Sequence, residues 1–152
     1  MAHKRNLVLA ALILSVLGLS TAPAAENPPG MTIVPISSTT TTASGQPIVV
    51  PAHPEVIASI YEIAPNAKLP IHEHPYPRYT YVLSGTLEVT VLGAQTNRYQ
   101  AGEFFAEVIG QWHTGRNIGN APVKLLMIDQ VVPGHSNTIL QSETTEDAGG
   151  PR

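Results

Sequence analysis

The chain has 152 residues, no cysteine, and 8 basic against 11 acidic side chains, for a formal net charge of −3. Lack of cysteine excludes disulfides, thiolate metal sites and lipid-modified cysteines, so the hydrophobic core must hold the fold by itself. No basic cluster stands out, which argues against nucleic acid or an anionic membrane surface as partner.

In chain order, Lys4 and Arg5 precede an apolar run over residues 7–19 and then Ala22-Pro23-Ala24, a small-x-small cleavage signal. The run is shorter than the roughly 20 residues that span a bilayer. Residues 1–24 therefore read as a secretory signal peptide, which sends the mature chain to the bacterial periplasm or outside with no membrane attachment after cleavage. About 128 residues remain, enough for one compact domain and too few for two.

Residues 25–45 form a Pro/Ser/Thr-rich leader, with residues 31–36 reading as a short edge strand inside it. The folded body spans residues 46–141, and residues 142–152 read as a polar, flexible tail. Strands are expected over 56–63, 79–83, 86–92, 104–109, 112–118 and 123–132, with Ser84-Gly85 as a hairpin signal. No window keeps a helical period, and prolines interrupt each one long enough to try. The pattern predicts an all-β antiparallel sandwich or barrel. Exposed edges at 31–36 and 123–132 would suit a homodimer.

The residues that carry chemistry are His72, His74 and His113. In a strand, side chains two apart share a face, so the imidazoles of His72-Glu73-His74 aim at one spot. Imidazole is the commonest neutral metal ligand, and a third histidine completes a coordinating set. His53 and His135 read instead as ordinary surface or satisfied histidines. Glu107 sits in the apolar run 104–109, facing either solvent or the cavity; if buried it needs a partner, and a metal or Arg78 would serve. By parity Arg78 shares a face with Thr80 and Val82, whereas a one-residue slip would turn Tyr79 inward. Trp112 reads as a packing anchor, and Pro75, Tyr76 and Pro77 as stiffeners of the loop that presents His74.

Two spaced motifs resemble those of the cupin superfamily. The first runs Asn66, His72, His74, Arg78, Gly85 against G-x5-H-x-H-x3-E-x6-G, and the second Gly102, Val108, Gly110, His113, Asn117 against G-x5-P-x-G-x2-H-x3-N. Every spacing is kept; Asn66 and Val108 are mild departures, and Arg78 stands where the family has a metal-binding glutamate. The resemblance implies a small jelly-roll barrel, or double-stranded β-helix, with His72, His74 and His113 on a divalent metal, iron first and zinc, manganese, nickel or copper also accepted. Three accounts of Arg78 stay open. The metal is held by three histidines alone, with Arg78 adding to the pull on an anion. Or Glu107 supplies the missing carboxylate. Or Arg78 turns a metal site into an anion site.

The expected function is a dioxygenase-like metalloenzyme acting on a small anionic enol, diketone or carboxylate, with Arg78 and Glu107 as catalytic candidates. Isomerase or lyase chemistry comes next. The alternative is a non-catalytic periplasmic module that binds a metal or small ligand.

Overall fold

The computed structural model describes residues 28–141; the segment read as a signal peptide and the tail at 142–152 lie outside these. Residues 28–33 and residues 34–141 belong to separate units. Of the smaller group, residues 28–33 contain a turn in which Met31 N–H donates to Pro28 O at 3.0 Å. Nine strands are found among the described residues: β1 (Glu55–Ile63), β2 (His72–Glu73), β3 (Arg78–Ser84), β4 (Thr86–Val91), β5 (Thr96–Gln100), β6 (Phe104–Ala106), β7 (His113–Asn117), β8 (Val123–Val131) and β9 (Ile139–Leu140).

The strands form two antiparallel sheets, ordered β1-β8-β3-β6 and β5-β4-β7-β2-β9. This is the all-β jelly-roll arrangement that the motifs imply. Ile63, Val82, Leu87, Phe105, Val123, Leu125 and Met127 fill the core. Most lie on the inward face of the first sheet, β8 above all, where every second residue is buried, and Leu87 of β4 faces them from the second.

Four expectations need correction. Residues 31–36 form no strand, and they are exposed. The segment 123–132 is no edge either, because β8 lies between β1 and β3. Ser84-Gly85 does not close a hairpin, since β3 and β4 belong to different sheets. Gly85 instead lets the chain cross from one sheet to the other: its φ is +83°, and a Cβ there would come within 2.8 Å of Val123 Cγ2. Finally, β5 is a strand although its sequence, Thr96 to Gln100, is mostly polar. It borders the second sheet, where pairing with β4 outweighs a weak hydrophobic pattern.

The Ser/Thr tract has a structural task. Ala43 N–H donates to Ala106 O at 2.9 Å, and the Gln46 amide bonds Ile109 both ways, at 2.7 and 3.0 Å. The tract thereby covers the free edge of β6 and steadies the turn that follows it.

Candidate metal centre

The strand register brings the histidines together. β2 pairs with β7 so that His72 lies opposite His113, and His74 follows two residues on. The three ring centroids stand 4.4, 4.8 and 4.9 Å apart. His74 and His113 are essentially fully buried.

Each ring is held from behind by a backbone carbonyl. His72 Nδ1 contacts Pro70 O at 2.8 Å, His113 Nδ1 contacts Gln111 O at 2.8 Å, and His74 Nδ1 contacts Asn137 O. A carbonyl only accepts, so every Nδ1 carries a proton, and Nε2 is the atom each ring leaves for a metal. This tautomer and this backing are what metal-binding histidines use.

Glu107 comes from the opposite sheet. It follows β6 on the inward side, with its N–H donating to Arg78 O at 2.8 Å, and its side chain is buried. Oε2 stands 3.1 Å from His74 Nε2 and 3.4 Å from His113 Nε2, while Oε1 accepts from Thr80 Oγ1 at 2.5 Å. Burial opposes its charge, yet the neighbouring His113 and His74 rings, then Arg78, hold the carboxyl well below the usual carboxylate range. His72 is shifted the other way for a base: burial, against the Pro70 contact, lowers it to about 4. It is neutral at pH 7.

Arg78 faces inward, as parity predicts, with Thr80 and Val82 on the same face. It does not stand as a free cation. Its register partner on β8 is Asp129, and the two form a buried bidentate pair, Nε to Oδ1 at 2.7 Å and Nη2 to Oδ2 at 2.9 Å. Burial works against the guanidinium charge, but Asp129 and then Glu107 raise its pKa further. Nη1 stands 3.4 Å from His74 Nε2.

Asp129 and Asn137 escaped the sequence reading. Asn137 Nδ2 donates to Asp129 Oδ1 at 2.6 Å, its Oδ1 accepts from Tyr76 N–H at 2.9 Å, and its backbone carbonyl holds His74. One acid within the apolar strand 123–132 was the available signal for Asp129; Asn137, in a polar loop, gave none. His53 and His135 are exposed and apart from the cluster, and Trp112 is half-buried.

The donor atoms of His72, His74, Glu107 and His113 lie within 4.8 Å of one another. Ligands bonded at about 2.1 Å stand about 3.0–3.4 Å apart when adjacent in octahedral or tetrahedral geometry. The 3.1 and 3.4 Å contacts to Glu107 fall in that range. The chemistry agrees: three Nε2 atoms and a carboxylate converge. His113 Nε2 is buried with no hydrogen-bond partner. The residues therefore fit a divalent transition metal.

Comparison with protein-family models matches residues 59–129 to the family described as the cupin domain. The chain carries a cupin domain. Among solved structures, this cupin is similar to oxalate decarboxylase from Lactobacillus farciminis in its formate complex. The identity is 26% and the TM-score 0.51, over 59% of this chain and 27% of that one. It is also similar to Bacillus subtilis oxalate decarboxylase, a protein with Mn(II) centres, at 24% identity and a TM-score of 0.52 over 59% and 24% of the two chains. DMSP lyase from Ruegeria pomeroyi follows at 20% identity and 0.50, over 57% and 43%. The cupin spans about a quarter of the decarboxylases' length, and the last two likenesses are of fold alone. No curated protein matches the chain.

Proposed function

We infer that this cupin binds one divalent transition metal through His72, His74, His113 and Glu107, and uses it on a small anionic molecule. The observation that carries the reading is the convergence of His72, His74, His113 and Glu107, whose donor atoms all lie within 4.8 Å of one another, with the three Nδ1 protons spent on carbonyls. In family terms, Arg78 occupies the glutamate position and Glu107 supplies the carboxylate from another strand. Of the three accounts of Arg78, the relocated carboxylate is the one the geometry supports.

Charge follows from that choice. Three neutral rings, Glu107 and a paired Arg78–Asp129 leave a divalent ion with a net charge near +1, suited to an anionic ligand. Bound there, the metal would supply Lewis-acid polarisation. Four protein ligands leave two of about six positions, enough for one bidentate anion but not for that anion and dioxygen together. Lyase or isomerase chemistry is thus favoured over the dioxygenase reaction expected at a three-histidine centre. The Mn(II) of a structural neighbour adds manganese to iron as a first candidate. A non-catalytic binding module is the second reading. It is favoured because no Asp, Glu or His outside the ligand set lines the cavities beside the cluster, so no carboxylate or imidazole stands ready as a general base. Elemental analysis of protein prepared without chelator, in periplasmic extract if the leader directs export, tests the reading. Close to one transition metal per chain is expected; none, even after reconstitution, ends it.

The expected homodimer has a different surface in its favour. Alternation turns Val56, Ala58, Ile60, Tyr81, Leu83 and Ile128 to the outer face of the first sheet, and Val56, Ile60 and Leu83 are strongly exposed. The charges beside it, Lys124 and Glu62, pair with each other at 3.3 Å. Four strands of this length span roughly 500 Å², the scale of an interaction patch. Sedimentation should give a dimer that Ile60→Lys dissociates; a native monomer would dismiss it.

A further inference from the structure

Two cavities flank the cluster and share Tyr61, Leu69, His72 and Arg78 in their walls. The inner one, about 30 Å³, has room for about one water. The outer one, about 160 Å³, opens beside His72 and is walled by Tyr61, Leu69, Pro70 and Leu140. A cavity of about this size with apolar walls holds a molecule like benzene.

Its electrostatics are one-sided. Arg78 is the only Lys or Arg among the described residues that line the outer cavity. Asp129 already meets its charge through two hydrogen bonds, and Thr138 Oγ1 takes a third contact at 3.4 Å. The Tyr61 ring lies 5.7 Å from the guanidinium carbon and covers it on one side. No unpaired cation is left to receive an anionic group away from the cluster. A second carboxylate would find only the neutral hydroxyls of Tyr61 and Thr138 among Leu69, Pro70 and Leu140 and no counter-charge, and burying an unpaired charge is costly.

We propose that the outer cavity selects a small monoanion with a compact apolar tail. The single anionic head lies at the His72–Glu107 cluster, and the tail lies against Tyr61, Leu69, Pro70 and Leu140. This rests on the metal reading above and adds a substrate class to it: small monocarboxylates and enolates are accepted, dianions of the same length are not.

The experiment uses protein loaded with Co(II), with metal content measured first. Acetate, butanoate and succinate are titrated in, followed by the visible Co(II) absorption and by calorimetry. All three offer a carboxylate head, and only the remainder differs. Butanoate is expected to bind roughly tenfold tighter than acetate, from two buried methylenes. Succinate should bind no tighter than acetate. Leu140→Lys should reverse the order of butanoate and succinate while leaving the Co(II) content unchanged. Succinate matching or exceeding butanoate in the native protein, or equal binding of all three, overturns the inference and leaves the metal reading standing. A protein that holds no Co(II) overturns both.

Discussion

Glu107 and Asp129 are both buried carboxylates, and Arg78 acts on each, yet their surroundings give them opposite roles. Asp129 is the strand-register partner of Arg78 and spends its oxygens on that guanidinium and on Asn137. Glu107 gives one oxygen to the Thr80 hydroxyl and turns the other toward the Nε2 atoms of His74 and His113, the neighbours that do most to hold its charge. One acid is satisfied by the fold; the other is left for something to bind. Burial and charge alone do not mark a functional carboxylate. What marks it is a set of neighbours that can themselves bind a metal.

The largest effect should come from Asp129. Asp129→Asn leaves the Arg78 charge buried without a counter-ion, which costs about 3–5 kcal/mol. In a domain of roughly 100 residues that lowers Tm by more than about 10 °C, as a thermal melt of metal-free protein would record. Replacing the pair with Arg78→Met and Asp129→Leu should recover most of the loss, because both charges go together. A single variant as stable as the native chain would mean that this pair is not the structural one.

Next comes Glu107→Gln, which should reverse the pattern. Metal affinity should fall about 10- to 100-fold in a competition titration with a chelator, while the metal-free melt falls less than that of Asp129→Asn, by the stability the ionised carboxylate adds at neutral pH. Equal affinity would return the site to three histidines alone and erase the contrast between the two acids.

Asn137→Ala should fall between them in kind and below them in size. It removes side-chain bonds to Asp129 and to Tyr76 N–H, at a cost of about 1–2 kcal/mol. It also loosens the loop whose carbonyl holds His74. A denaturant melt together with a metal titration should both shift modestly; a change in neither would mean that the loop holds its place without the side chain.

Much of this was legible in the sequence, and the gaps have physical causes. The histidines could be read because two-residue periodicity and fixed motif spacing act locally. The inward face of Arg78, Thr80 and Val82 followed from strand parity. Glu107 could only be left open, because an acid in an apolar run reads alike as an edge residue and as a buried ligand. The Arg78–Asp129 pair was hidden since it depends on register between β3 and β8, 51 residues apart. Ser84-Gly85 misled for a related reason: a glycine between two strands signals a sharp change of direction, not whether the strands share a sheet. Residues 31–36 had strand composition, but a strand also needs a neighbouring edge, which composition does not encode.

The smallest effect is one of pH. His72 drops from 6.5 in the unfolded chain to about 4 in the folded protein. Between those values the unfolded state takes up a proton that the folded state refuses, so metal-free stability should fall as pH drops through that window. The depressed Glu107 adds a loss of the same sign at lower pH. Melts from pH 7 to pH 4 should show this slope, and His72→Gln should flatten it. A slope unchanged in that variant would assign the titration elsewhere.

The most direct test of the central claim is a crystal structure of the protein soaked in Mn(II), with anomalous scattering collected to locate the ion. The account predicts a single strong peak bonded to Nε2 of His72, His74 and His113 and to a carboxylate oxygen of Glu107, with Asp129 still on Arg78. A peak bonded to the histidines with Glu107 turned away, or no peak among them, would contradict it.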